Sequence, residues 1–266
     1  MKIGAQLYTL RTFCDNEINI DETFKKVAAM GYEYVQVSGL ADIGAANLRE
    51  IADRYGLKII LTHSNQDRVI NDTAALIEEH KIMGASYIGI GSMPGRYHND
   101  IAAFVRDFKP AAQKIAAAGM KFMYHNHDFE FAKIDGKLMM EHLMDEFTAE
   151  EMGFVLDVFW VQAGGADPAA WLRKLAGRVD TIHFKDFGML PGRMGEQQSG
   201  VGSATSPETG RAMMPILEGN MNWDAIFEAC KDAGVQYAFV EQDDCNGVCP
   251  FECLQTSFDN LKAKGF

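Results

Sequence analysis

Eight short apolar runs, each followed by a longer amphipathic run, predict an α/β chain folded as a single (β/α)8 TIM barrel domain over residues 1–266. Two further observations support this. A glycine closes most of the helical runs just before the next strand, in GYEYVQV, GLKIIL, GASYIGI, GMKFMY and GVQYAFV, as a left-handed helix C-terminus favours. An open doubly wound sheet would instead carry a phosphate loop after an early strand, and neither GxGxxG nor GxxxxGK[ST] occurs.

Ile3–Thr9 is the first expected strand, and Asp21–Met30 the first helix, with Asp21 in its first turn and Gly31 as its stop. Strand Glu33–Ser38 and helix Ala45–Tyr55 follow, then strand Leu57–Ser64 and helix Asp72–Met83. Tyr87–Gly91 is the fourth strand, and Asp100–Ala118 a long helix with Pro110 as a kink or restart. The fifth strand opens the stretch Lys121–Phe131, KFMYHNHDFEF, and Met140–Glu146 is helical. Phe154–Trp160 is the sixth strand, and Pro168–Leu175 starts a helix with proline at its favoured first position. After the seventh strand, Val179–Phe184, the segment Gly188–Gly219 breaks the rhythm. It is long and rich in Gly, Ser, Pro and Met, and is expected to overhang the barrel mouth as a lid or a contact in a homo-oligomer. Helix Trp223–Ala233, strand Tyr237–Gln242 and helix Cys253–Lys264 complete the pattern.

Composition narrows the function. The net charge is −12 and the pI is near 5.0, with no basic stripe to hold a phosphate backbone or an anionic membrane, so neither nucleic acid nor membrane is an expected partner. The N-terminus does not look like a signal peptide, and no apolar run is long enough for a transmembrane helix. The five cysteines form no CxxC pair. Cys245, Cys249 and Cys253, spaced by four, match no iron–sulfur pattern. Reduced thiols and a cytoplasmic location are expected.

Barrel enzymes work at the C-terminal ends of their strands. Those ends carry Gln6 and Tyr8, Gln36, His63, then His125, His127 and Glu130, then Asp157, then His183, Lys185 and Asp186, and finally Glu241 and Asp243. His125, His127, Asp128 and Glu130 put four ionisable groups within six residues, in a chain with seven histidines. Asp157 in VLDVFW, His183 in TIHFKDF and Glu241 in AFVEQD stand inside apolar runs, where an unpaired polar group is costly. Carboxylate, imidazole and carboxylate converging on a barrel axis make a site for a divalent metal, Mn, Mg, Co or Zn. The alternative is that Asp157 and Glu241 pair with Lys185 or an arginine and bind no metal. Gln6 and Tyr8 would line the pocket floor, His63 and Glu130 would approach the substrate, and Trp160 with Phe159 would form an apolar wall able to stack on a sugar face.

At these residues the chain resembles the sugar phosphate isomerase/epimerase-like family, the xylose isomerase-like TIM barrels. The likeness runs through GAQLYTLR, YHNHDFEF, LDVFWVQAGGADP, HFKD, EGNMNW and VEQD, and so covers nearly the whole chain. It implies a metal held by Glu, Asp, His and Glu from four strands. The last three fall on Asp157, His183 and Glu241. The first Glu falls at or near His125, because an ENH-like segment is here HNH, so that His125, His127 or Glu130 would ligate in its place. The family's epimerases also carry a His where this chain has Trp160, and exchange protons through two Glu.

The expected activity is therefore that of a metal-dependent sugar isomerase or epimerase, acting on a carbohydrate or keto-sugar through an enediolate. His125, His127 and Glu241 are candidate bases, and Lys185 would stabilise negative charge. A dehydratase or lyase eliminating from a 3-keto-sugar, keto-glycoside or inosose is the alternative. A non-catalytic carbohydrate-binding barrel is the reading from a different class. Arg96, Arg193 and Arg211 lie in expected loops and could contact an anion, although arginines there are usually solvated.

Overall fold

The computed structural model describes residues 1–190 and 210–266. Eight parallel strands close into a barrel: β1 (Lys2–Gln6), β2 (Tyr34–Val37), β3 (Lys58–His63), β4 (Tyr87–Ile90), β5 (Lys121–His125), β6 (Met152–Asp157), β7 (Thr181–Phe184) and β8 (Tyr237–Val240). They are hydrogen-bonded in chain order, and β8 closes on β1 with Lys2 opposite Tyr237.

Each strand has two buried faces, and period-2 alternation sorts its residues between them. On β5, Phe122 and Tyr124 pack outward into the large core under the helices, whereas Met123 joins Leu61, Val155 and Phe239 inside the barrel. Gly4 on β1 makes room for this inner layer. A Cβ there would sit 2.8 Å from the Phe239 ring and 2.7 Å from the Tyr34 carbonyl oxygen.

Six of the helices around the barrel, among them those that begin at Glu17, Ile101 and Trp223, start on side-chain caps. Helix α1 (Glu17–Ala29) begins four residues before Asp21 because Asn16 Oδ1 accepts the Asn19 N–H. Helices α2 (Ala45–Arg54), α3 (Gln66–Asn71) and α4 (Thr73–Met83) follow, α3 having no counterpart in the expected order. Helix α4 ends at Gly84, whose φ of 73° is the left-handed conformation expected for a terminating glycine. Helix α5 (Ile101–Ala117) runs through Pro110 without a restart. Then come α6 (Met139–Glu146), α7 (Val158–Ala163), α8 (Pro168–Lys174), α9 (Trp223–Ala233) and α10 (Pro250–Ala263).

The first and sixth strands end three residues earlier than their apolar patterns predict, each at a residue whose side chain caps the succeeding turn. Gln6 Oε1 accepts the Tyr8 N–H, and Leu7–Phe13 winds into a 3-10 turn. Asp157 Oδ1 accepts the Trp160 N–H, so Phe159 and Trp160 open α7 rather than extend β6.

The segment Gly188–Gly219 is not simply a loop. Asp186–Met189 pairs antiparallel with Arg211–Met214 as a two-stranded ribbon beyond β7. The Asp186 carboxylate accepts the N–H groups of Phe187, Leu217 and Gly219 and ties the ribbon's base. Residues 191–209, with Arg193 and the expected lid or subunit contact, lie outside the described residues. All five cysteines are free thiols. Among the described residues, no helix is long and apolar enough to cross a membrane.

Candidate active site at the barrel mouth

Two residues beyond the inner barrel layer, the adjacent strands β5, β6 and β7 present His125, Asp157 and His183, and Glu241 follows the last residue of β8. Period 2 aims them at the axis: Met123 leads to His125, Val155 to Asp157, and Phe239 to Glu241. All four are buried, and one donor atom from each lies within 4.8 Å of the others.

Their hydrogen bonds decide which atoms face inward. His125 Nδ1–H donates to the Gly91 carbonyl oxygen at 2.8 Å, which leaves Nε2 facing Asp157 Oδ2 at 3.3 Å. His183 Nε2–H donates to Gln36 Oε1 at 2.7 Å, which leaves Nδ1 at 2.9 Å from Glu241 Oε2 and 3.6 Å from Asp157 Oδ2. His183 Nδ1 and Glu241 Oε2 are buried without an aligned hydrogen bond. An imidazole lone pair this close to a carboxylate oxygen needs a cation between them, either a proton or a metal ion. Outward N–H groups anchored on oxygen, with the other nitrogens converging on carboxylates, are what a metal-binding histidine pair requires. The cluster of two imidazoles and two carboxylates could therefore hold a divalent metal.

Lys185, one residue beyond β7, is buried against the same carboxylates. Its Nζ lies 3.0 Å from Asp157 Oδ2, 2.8 Å from Glu241 Oε2 and 2.9 Å from Asp243 Oδ2. Burial opposes its charge, yet Asp157, Asp243 and Glu241 hold it well above the usual lysine range. Burial likewise opposes ionisation of Asp157 and Glu241, but the Lys185 ammonium holds both well below the usual carboxylate range. Burial would depress His183, but Glu241 and Asp157 raise it to about 9. The ion pairing weighed from the sequence is thus present in the same site as the ligand cluster.

Above the cluster opens a pocket of about 360 Å³, lined on one side by His125, His127, Lys185, Glu241 and Asp243, and on the other by Tyr8, Arg11, Ser38, His63, Gly91 and Ser92. Burial, then His125 and His183, hold His63 well below the usual imidazole range. Its Nδ1 meets Ser38 Oγ at 3.2 Å, and its Nε2 is buried without a partner. Burial and then His125 push His127 down to about 3, and its Nδ1 is also unpartnered.

Three expected substrate contacts are placed elsewhere. Glu130 is fully buried off the pocket, because Tyr124 O–H donates to its Oε1 at 2.6 Å and the His127 N–H to its Oε2 at 2.9 Å. Both oxygens are engaged, and it belongs neither to the ligand cluster nor to the pocket lining. Gln6 is fully buried as the cap of the 3-10 turn. Trp160, in the first turn of α7, is half-buried and does not line the pocket, its ring 5.1 Å from that of His127 and 5.4 Å from Lys185 Nζ. His127 reaches the pocket but is not one of the four clustered groups. Arg11, Ser38 and Ser92 carry no sequence signal that marks them as pocket residues. The turn that holds Arg11 follows directly on β1 without a break in apolar character. Arg96 is paired with Asp67 at 2.7 Å.

The model of one protein family, the xylose isomerase-like TIM barrel, matches residues 24–246. No curated protein matches the chain. Among solved structures, a sugar phosphate isomerase/epimerase from Parabacteroides distasonis superposes with a TM-score of 0.77 at 21% identity, over 99% of this chain and 94% of that one. The probable 3-DHS dehydratase AsbF of Bacillus anthracis gives 0.69 at 16% identity over 98% and 99%. The IOLI protein, solved with a bound zinc atom, gives 0.69 at 17% identity over 100% and 99%. At these identities the likeness to the solved structures is one of fold.

Proposed function

The chain belongs to the xylose isomerase-like TIM barrel family, and on that footing we propose that it is a divalent-metal-dependent enzyme that moves a proton next to the carbonyl of a keto-sugar, as a sugar isomerase or epimerase. The observation that carries this reading is the convergence of His125 Nε2, Asp157 Oδ2, His183 Nδ1 and Glu241 Oε2 beneath an open pocket.

His125, Asp157, His183 and Glu241 would hold the metal, which when bound supplies Lewis-acid polarisation of a substrate carbonyl and its neighbouring hydroxyl. The protein supplies the rest. Glu241, kept ionised beside Lys185, is the carboxylate base at the pocket floor. The buried Lys185 ammonium offers positive charge to an enediolate oxygen. His127, neutral and with Nδ1 unpartnered, lines the pocket as a hydrogen-bond acceptor for a substrate hydroxyl. Isomerisation returns the proton to the neighbouring carbon, and epimerisation returns it to the opposite face.

Elimination from a 3-keto-sugar, keto-glycoside or inosose is the second reading, and one feature favours it. Where two-base epimerisation would use a second Glu, His125 is drawn into the ligand cluster. Imidazoles of His63 and His127 are left to face the substrate, where the neutral rings can hydrogen-bond and orient a leaving oxygen on one side only. AsbF, a probable dehydratase of the same fold, is consistent with that chemistry.

The test is elemental analysis of the parent, His183→Ala and Glu241→Gln, with proton NMR of keto-sugars incubated with each protein in D2O. About one divalent ion per chain, lost in both variants, and exchange of the proton next to the carbonyl are expected. Metal without exchange on any keto-sugar would point to a carbohydrate-binding barrel. Absence of metal after reconstitution would refute the metal-dependent mechanism.

A further inference from the structure

We propose that Arg11 forms an anion subsite in this pocket, so that the sugar substrate carries a carboxylate or a phosphate group. The inference rests on the enzymatic reading above and adds the substrate's chemical class.

Arg11 lies in the turn after β1 and lines the pocket beside Asp243. It is held in place from behind. One Nη1–H donates to the Tyr8 carbonyl oxygen at 2.9 Å, one Nη2–H to the Asp243 carbonyl oxygen at 3.1 Å, and the guanidinium stacks 4.3 Å from the Tyr8 ring centroid. These bonds use two N–H groups of the five a guanidinium has, and leave three for a ligand.

Its charge is also uncommitted. Arg49, Arg54, Arg68, Arg96, Arg106 and Arg173 all sit in ion pairs, whereas Arg11 pairs with no carboxylate among the described residues. The groups at the pocket floor account for themselves. If the cluster held one divalent ion, that ion and the Lys185 ammonium would balance the carboxylates of Asp157, Glu241 and Asp243, and Arg11 would be left as the excess positive charge lining the cavity. A fixed guanidinium with free donors matches the oxygens of a carboxylate or phosphate, and a charge-assisted contact of this kind is stronger than one to a hydroxyl.

The test uses metal-loaded protein and three ligands that share a six-carbon chain: D-glucitol, D-gluconate and D-glucitol 6-phosphate. Binding is measured by isothermal titration calorimetry for the parent, Arg11→Gln and Arg11→Lys, with metal content determined on the same samples. At least one anion should bind the parent about tenfold or more tightly than D-glucitol. Arg11→Gln should lose that preference, and Arg11→Lys should keep part of it, which also covers the case in which Arg11→Gln fails to fold. A preference for gluconate alone identifies a sugar acid, and for the phosphate alone a sugar phosphate. Equal binding of all three ligands, or a preference that survives in Arg11→Gln because the anion meets the metal instead, overturns the proposal. Parent protein that holds its metal and exchanges protons without any anion preference would remove this proposal alone. Parent protein that holds no metal would remove the reading beneath it.

Discussion

Gln36→Leu separates a residue that positions the metal ligands from one that merely fills the barrel. Gln36 Oε1 accepts the His183 Nε2–H at 2.7 Å, and both residues are fully buried. The bond occupies the Nε2–H and so leaves Nδ1 as the nitrogen turned to Asp157 and Glu241. Leucine has nearly the same volume but no acceptor. A buried donor left without its partner costs about 1–3 kcal/mol. Expressed through metal binding, that is about 5-fold to 150-fold in affinity, which agrees with the range of about 10-fold to 100-fold for losing an outer hydrogen bond to a metal-bound histidine. Stability should respond differently. Gln36 Nε2 is already buried without a partner, and leucine removes that orphan as it creates another. The metal-free protein should therefore change by no more than about 1 kcal/mol. The assay is competition for zinc against a chromogenic chelator, paired with urea unfolding of metal-free protein. Gln36→Glu, which keeps an acceptor, should hold zinc at least as tightly as the parent. Unaltered zinc affinity in a folded Gln36→Leu variant would refute the tautomer argument. A large loss of metal-free stability with an equal loss of affinity would make Gln36 a packing residue.

Other expectations rest on the same contacts. Removing metal with a chelator should lower the melting temperature, and readdition of zinc or cobalt at a hundred times its Kd should restore about 2.7 kcal/mol; no shift in differential scanning calorimetry would argue against the site. Asp157→Asn should lose bound metal and turnover together, because it weakens a ligand and the Lys185 pair at once. Burial raises Glu130 from 4.5 to about 7. A raised folded value means stability fully present below pH 4.5 and lost as pH rises through about 7. Glu130→Gln should flatten that part of the stability profile in urea titrations, and an unchanged slope would refute the assignment. Gly4→Val would press on the Tyr34 carbonyl and the Phe239 ring and should cost about 1–3 kcal/mol of stability by urea midpoint, since the barrel interior has no space to yield.

Much of the site was legible because period-2 alternation makes a polar residue conspicuous in a strand buried on both faces. Asp157, His183 and Glu241 stand out among their apolar neighbours for that reason, and the strands that carry them are adjacent. Strand ends were less legible. FVLDVFW is equally apolar on both sides of Asp157, so the switch from β6 to α7 depends on one side-chain cap, which the composition of the run does not reveal. The same holds for Gln6 and the turn that brings Arg11 to the pocket. Glu130 was misplaced because a carboxylate near a histidine-rich strand end suggests chemistry, whereas Tyr124 and the His127 N–H consume both its oxygens. The Lys185 cluster was only partly visible, since it needs Asp243 to arrive from beyond the end of β8.

The two walls of the pocket come from different halves of the chain. Tyr8, Arg11, Ser38, His63 and Ser92 follow or end β1 to β4, whereas His125, His127, Lys185, Glu241 and Asp243 belong to β5 to β8. The clustered ligands all lie in the second half. Such a molecule resembles a tool with a fixed head and an exchangeable jaw. Substitutions, or a transplanted first half, should alter which molecule is gripped while the clustered groups stay in place, provided the replacement keeps both acceptors that reach across, Gln36 Oε1 to His183 and the Gly91 carbonyl to His125.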